Sequence, residues 1–285
     1  MEKWGDKPYH SLDYENKKRF GEKVYKISLA GGTTCPNRDG TLGTRGCCFC
    51  SGSGSGDFAA TKGSITEQIE EAIARVSRYK NAGHHFTAYF QSFTATYAPV
   101  ETLRAAWEEA MTHESVVTLA IATRPDCLGD DVLSLLVDCC RKMPVTVELG
   151  LQTIHPDTIR YIRRGYPNSV YETAVKNLQN IGVNVVTHVI AGLPGETKEN
   201  FLDTVRYVAD IGSDGIKLQL LHVLKGTDLA LDYESKMFRT LTPDEYLDYI
   251  AEALSILPPD MVIHRVTGDG PKNLLIAPLW SSAKR

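Results

Sequence analysis

Runs of apolar and β-branched residues recur along the chain at intervals of about thirty positions, each followed by a segment whose apolar residues return every three or four positions. The runs fall at 24–29, 87–91, 116–122, 145–151, 184–190 and 216–222. Strand then amphipathic helix, repeated, predicts a parallel sheet with right-handed crossovers. Six such units predict an α/β fold of the partial (β/α)6, TIM-like barrel type, and a last run at 261–266 can add one strand more. Ser64 with Glu67 and Ser169 with Glu172 have the spacing of capping boxes, in which hydroxyl and carboxylate satisfy free backbone donors at a helix start. Thr242 adds the same signal with Pro243 at the first helical position, and Gly182 and Gly212 stand where helices should stop.

The strands carry a second pattern. In 145–152 the odd positions are apolar and the even ones are Thr146, Glu148, Gly150 and Gln152, so the two-residue period of a strand puts a carboxylate and an amide on one face. Thr87, Tyr89 and Gln91 repeat that face, as do Lys217 and Gln219. An ordinary parallel strand is apolar on both sides. A polar lumen in an incomplete barrel points to a large bound ligand.

With 285 residues, 42% of them apolar, the chain can bury one large core, and a single domain over 1–285 is expected: an extension at 1–22, the barrel core at 23–240, and a helix-and-strand extension at 241–285. No apolar run reads as a leader or reaches the roughly twenty residues of a bilayer span, which makes a cytoplasmic location and no membrane partner the expectation. The net charge of −4 supplies no global attraction to nucleic acid. Lys17, Lys18, Arg19 and Lys23, and Arg160, Arg163 and Arg164, leave room for local phosphate contacts only.

Seven cysteines without a leader argue for thiols and metal ligation over a disulfide framework. Cys47 and Cys50 form a Cys-x-x-Cys pair, and Cys35 is separated from it by eleven residues upstream. Three soft ligands can hold a [4Fe–4S] cube with one iron open to a substrate. Cys48, wedged between ligands, is read as a bystander, and Cys139 and Cys140 as core-facing residues of a helix. A zinc site completed by Cys48 or a histidine is the rival for the same thiols. The Ser-Gly tract at 51–56 comes directly after Cys50 and is read as a loop over the cluster.

Taken together, Cys35, Cys47 and Cys50, the Glu148-x-Gly150-x-Gln152 stretch with Arg164-Gly165, Arg124-Pro125-Asp126, and Lys225-Gly226-Thr227 resemble the radical S-adenosylmethionine (SAM) superfamily. The likeness is greatest to its YhcC/YtqA-type proteins, related to the catalytic domain of Elongator-like tRNA-modifying enzymes. The resemblance implies a [4Fe–4S] cluster on the three cysteines and SAM chelated to the fourth iron. It further implies reductive cleavage to a 5′-deoxyadenosyl radical that abstracts hydrogen from a substrate. By the same resemblance Gln152 and Arg164 contact SAM, the arginine through the carboxylate. Ile190, Gly192 and Leu193 back the adenine in a stretch whose leading glycine is replaced by His188, and Phe49 flanks the cluster. The usual Gly-Gly-Glu at the second strand end is absent, so Gln91 or Ser92 takes its place, and Glu148 is the candidate for the ribose.

A reductant such as flavodoxin or ferredoxin is the implied electron donor. A tRNA wobble uridine is the implied substrate, with a small molecule or a protein as the alternative. Lys217, His222, Lys225, Arg265 and Asp269 are the substrate-side candidates. A zinc-stabilised binding module and a plain Fe–S electron carrier are the readings from other classes.

Overall fold

The structure is a computed structural model that describes residues 3–283. Six strands, β1 (Tyr25–Leu29), β2 (Phe86–Phe90), β3 (Val116–Thr123), β4 (Val145–Gln152), β5 (Asn184–Ala191) and β6 (Gly215–Leu220), lie in sequence order in one sheet, joined in parallel by their registers. The anticipated extra strand, β8 (Val262–Arg265), continues the sheet in parallel beside β6. The result is an open half-barrel of seven strands. The outer edge of β8 is met by the backbone around His10 and Ser11, just before α1 (Leu12–Phe20).

The connecting helices are α2 (Ile65–Ser77), α3 (Val100–Thr112), α4 (Asp130–Cys140), α5 (Pro156–Tyr161) with α6 (Asn168–Asn180), and α7 (Lys198–Ile211). Their apolar stripes meet the outer face of the sheet. Ile65, Ile69 and Ala72 of α2, Trp107 of α3, Leu135 and Cys139 of α4, and Phe201 and Val205 of α7 share one core with Val145, Val147, Leu149 and Leu151 of β4. Burying each large aliphatic or aromatic side chain contributes about 1.5–3 kcal/mol. Cys139 is buried and Cys140 packs against the same core, consistent with their helical spacing.

The capping boxes at Ser64 and Thr242 form, the latter opening α9 (Pro243–Ile256). The one expected at Ser169 does not. Helix α6 starts at Asn168, behind Pro167, so Ser169 already lies inside the helix. The sixth strand ends at Leu220, which leaves His222 beyond it. Past that point the chain builds a small antiparallel pair, β7 (Val223–Leu224) with β9 (Leu275–Ala277), and the short helix α8 (Asp228–Glu234). Among the described residues no helix is long and apolar enough to cross a membrane.

The even positions of β4 face the lumen as their alternation predicts, with Glu148 buried and Gly150 and Gln152 bordering a cavity at the carboxyl ends of the strands. A second, larger cavity opens at the other end, lined by Lys18 and Arg19 of α1 and by strand-start residues such as Thr87, Thr146 and Asn184. The basic groups are therefore divided. Lys18 and Arg19 face the amino ends of the strands, whereas Arg163 lies at the cysteine side, its Nε donating to the Gly46 carbonyl at 2.8 Å and its guanidinium paired with Asp228. Arg160 is paired with Asp157 on the exposed face of α5.

Candidate active site

Cys35, Cys47 and Cys50 line one cavity, in the long connection between β1 and α2. The turn that presents them is held from several sides. The Cys50 N–H donates to the Cys47 carbonyl at 3.1 Å, the Cys48 N–H to the Ile162 carbonyl at 3.3 Å, and the Leu229 N–H to the Cys48 carbonyl at 2.9 Å. The Cys48 side chain turns the other way, into an apolar cluster with Ile162, Ile190, Leu193, Leu221 and Leu229. Burial pushes its thiol up to about 12.

Two residues of the spacer have roles that its length alone does not reveal. Asn37 is buried and donates from Nδ2 to the Arg163 carbonyl at 2.7 Å and toward the Cys47 sulfur at 3.4 Å. Arg38 donates to the Cys50 and Ser51 carbonyls at 3.0 and 2.6 Å, lying across Gly46, where a β-carbon would stand 3.0 Å from the guanidinium. Burial, with Cys50 beside it, pushes the Cys47 thiol up to about 11. Sulfur so placed stays protonated unless an electropositive centre takes it, as a coordinating metal does.

The donor set fits an iron–sulfur cluster: three soft sulfurs around one cavity, an amide N–H aimed at one of them, and polar groups behind. Among the described residues no three His, Cys, Asp or Glu side chains converge closely enough to hold a single metal ion. A cube asks for something different, one thiolate on each of three irons. The Ser-Gly tract contributes to the wall of the cavity. Gly54 and Ser55 line it, and a β-carbon on Gly54 would meet the Phe93 ring at 2.2 Å.

Gln91 and Gln152 border the same cavity. Gln91 is held by Ser28, whose hydroxyl donates to it at 3.3 Å, and donates to the Ser55 carbonyl at 3.0 Å. Gln152 ends β4 with a φ of +63°, a left-handed conformation that costs an ordinary residue about 1–2 kcal/mol and directs its amide back along the strand. Gly150 makes room for it, since a β-carbon there would lie 2.5 Å from the Gln152 Nε2. Gly150→Ala is expected to displace that amide at little cost in stability and to weaken SAM binding roughly three- to tenfold, the worth of one net hydrogen bond. Titration of the cluster-loaded protein measures it, and unchanged affinity would remove Gln152 from the SAM contacts.

Other expected contacts are placed differently. Arg164 borders the cavity but is almost wholly buried, and its Nε, Nη1 and Nη2 groups donate to the carbonyls of Leu151, Thr153 and Tyr166 and to Asn168 Oδ1. All five N–H groups have acceptors in the protein, so in this arrangement Arg164 ties the end of β4 to the start of α6, and a SAM carboxylate would take the place of one of them. Its neighbour Arg124 is paired with Asp126, and both guanidinium groups lie over the Tyr166 ring, their centres 4.9 and 4.6 Å from its centroid. Ser92 is buried against the loop at Gly56 and borders an adjacent cavity rather than the one lined by the cysteines. Ile190 and Leu193 belong to the apolar cluster around Cys48; Phe49 packs against that cluster and also lines the cavity with the three cysteines. Gly192 has a φ of +85° and lies against Leu241.

The lumen floor is a charge network centred on Glu148. Its Oε1 takes the ammonium of Lys26, and its Oε2 accepts from Tyr89 at 2.5 Å, from His188 Nε2 at 2.8 Å and from Lys217 at 2.5 Å. Both oxygens are engaged, so a ribose hydroxyl expected at Glu148 would share the carboxylate with these donors. Burial opposes ionisation of Glu148, but Lys217, Lys26 and His188 outweigh it and hold the group well below the carboxylate range. Burial and the neighbouring Lys217 lower His188 to about 4, against the pull of Glu148. The neutral ring therefore donates from Nε2 and accepts at Nδ1 from Gln219, 3.0 Å away. For Lys217, burial and the charges of Lys26 and Arg265 prevail over Glu148 and bring it down to about 7. Sequence patterns give no sign of Lys26. A single lysine near a strand start has no motif around it, and only the facing Glu148 gives it meaning.

An open parallel half-barrel with three thiols and a polar lumen at the carboxyl ends of its strands defines a class of cofactor-dependent proteins that gather their chemistry at that end of the sheet. The family comparison is specific: the model described as Radical SAM superfamily matches residues 21–208, and the Radical_SAM C-terminal domain model matches residues 213–285. The chain belongs to the radical SAM superfamily, whose members normally use a [4Fe–4S] cluster and SAM. It is 43% identical over 285 residues to the uncharacterized protein YtqA of Bacillus subtilis (strain 168), covering 98% of this chain and 87% of that one. It is 38% identical over 264 residues to protein YhcC of Escherichia coli (strain K12), covering 92% and 84%. Among solved structures, the Elp3 of the archaeon Methanocaldococcus infernus with an N-terminal deletion aligns with a TM-score of 0.66 at 18% identity. That alignment covers 89% of this chain and 58% of the archaeal one, a likeness of fold.

Proposed function

We propose that the chain is a radical SAM enzyme in which Cys35, Cys47 and Cys50 hold the cluster, Gln152 and Gln91 contact SAM, and the lumen floor receives the substrate. The observation that carries this reading is the opposite orientation of adjacent cysteines: Cys35, Cys47 and Cys50 border the polar cavity while Cys48 is packed into apolar surroundings. When bound, the cluster supplies the electron that cleaves SAM to a 5′-deoxyadenosyl radical, with a flavodoxin or ferredoxin as donor. The chain's own part is to hold, orient and exclude water. Asn37 and Arg38 fix the cysteine turn, Gly54 and Phe93 close the wall beside it, and Arg164 and Tyr166 hold the end of β4 from which Gln152 projects.

For the substrate we propose a tRNA nucleoside, a wobble uridine, on the strength of the Elongator-like motifs around Glu148, Arg124 and Lys225. A second reading, a small-molecule substrate, is favoured by the division of Lys18 and Arg19 from Arg163 between the two ends of the barrel. The two readings part on salt. Phosphate contacts release counterions, so association with bulk tRNA is expected to weaken steeply as salt rises. Nucleoside mass spectrometry of tRNA from cells with and without the gene is the direct comparison. A modified nucleoside absent from the deletion supports tRNA, and identical profiles under several growth conditions would move the assignment to the small molecule.

A further inference from the structure

The register of the sheet places Gly150, His188, Lys217 and Arg265 side by side across β4, β5, β6 and β8. Residues paired in register share a face, so this is one level of the lumen wall. Its charges do not balance. His188 is neutral and hydrogen-bonded at both nitrogens, and Lys217 leans onto Glu148 and, at 3.3 Å, onto the Tyr89 hydroxyl. Arg265 is exposed and borders the same cavity, and its guanidinium makes no hydrogen bond or ion pair with another described residue. Glu148 is the one carboxylate among the described residues lining the cavity, and Lys26 and Lys217 already occupy it. Like charges at facing positions of neighbouring strands destabilise a sheet unless something lies between them.

We infer that Arg265 and Lys217 receive an anionic oxygen group, a carboxylate or a phosphate, carried by the molecule on which the enzyme acts. Guanidinium suits the role because it is permanently charged and can donate two parallel hydrogen bonds to such a group. Lys217, bonded to Glu148 and Tyr89, has a third N–H to donate when it is protonated. The pair projects from β6 and β8, at the far end of the strand order from the β1 connection that carries the cysteines. Both residues border the cavity that the cysteines line, so the SAM affinity of the variants decides between an anion of the substrate and the carboxylate of SAM. The inference rests on the lumen being the reaction chamber, as proposed above.

The test titrates the cluster-loaded protein anaerobically with inorganic phosphate and, separately, with acetate, following the probe by nuclear magnetic resonance line width, and measures SAM affinity on the same samples. Saturable binding of at least one probe is expected, and whichever binds identifies the anion. Arg265→Gln is expected to weaken it roughly tenfold or more, the cost of removing one member of a charge-assisted contact. Arg265→Lys should recover part of the loss, and Lys176→Gln, the same charge change on the exposed face of α6, should leave binding unaltered. SAM affinity should be the same in all four proteins. No saturable binding of either probe, or equal binding by Arg265→Gln and wild type, would overturn the inference. So would a parallel loss of SAM affinity in Arg265→Gln, which would give the guanidinium to SAM. Because the probes bind without turnover, failure of the wild type to cleave SAM would strike the proposed function and leave this result readable by itself.

Discussion

Alanine at Cys35, at Cys47 or at Cys50 is expected to deprive the protein of cluster iron and of 5′-deoxyadenosine formation, whereas Cys48→Ala keeps both. Each of the three borders the polar cavity, and alanine offers no substitute for a thiolate that anchors an iron. Cys48 stands beside them in sequence and apart from them in space. Its sulfur fills an apolar cluster with Ile162 and Leu229, so truncation leaves a small void and costs on the order of 1–2 kcal/mol. Iron and sulfide analysis of the four anaerobically reconstituted variants, with a thermal midpoint for each, separates the two kinds of loss. Loss of iron from Cys48→Ala with retention in Cys47→Ala would show that the ligand register is shifted by one.

The second large effect belongs to Glu148. Glu148→Ala removes the acceptor of Lys26, Lys217, Tyr89 and His188 together, in a site where the carboxylate is fully buried. Breaking a buried pair by deleting one partner leaves an uncompensated charge and typically costs about 3–5 kcal/mol. The ammonium groups have one escape, which is to lose their protons. Lys217, already brought down to about 7 by burial and by its cationic neighbours, would fall further without Glu148. Part of the penalty should therefore vanish in the double variant Glu148→Ala with Lys217→Met, where the orphaned ammonium is gone, and a double-mutant cycle measures that coupling. Urea denaturation gives the values. A cost below about 1 kcal/mol, as for exposed pairs, would mean that water solvates the lysines and that the lumen floor is wet.

How much of the fold and site is legible in the sequence depends on where each partner sits along the chain. The six strands and the added strand β8 follow from recurring apolar, β-branched runs, and the polar face of β4 from period-two alternation, all local signals, and the structure realises them. The thiol trio is legible as a spacing. What the spacing cannot contain is orientation. Neighbours in a turn point apart, so the fate of Cys48 depends on Ile162 and Leu229, more than a hundred residues away. Arg164 shows the same limit from the other side. Its motif suggests a ligand, but its acceptors are backbone carbonyls, which every sequence has and no sequence marks. Glu148 is visible as a carboxylate on a lumen face, while the four donors that consume it come from β1, β2, β5 and β6 and become a network only when the sheet brings them together. The pair β7 and β9 is short, and its partners are separated by about fifty residues, too little pattern for periodicity to detect. Helix α6 opens ahead of its anticipated cap because Pro167 ends the preceding turn and Asn168 is engaged by Arg164 and the Ile154 carbonyl.

The central claim is that this half-barrel cleaves SAM at a three-cysteine cluster, and anaerobic reconstitution with iron and sulfide followed by reductant and SAM tests it most directly. Chromatography should show 5′-deoxyadenosine accumulating in the wild type and in Cys48→Ala, and none above background in Cys35→Ala, Cys47→Ala or Cys50→Ala. A fully reconstituted, reduced wild-type protein that yields no 5′-deoxyadenosine, or cysteine variants that yield as much as the wild type, would contradict it.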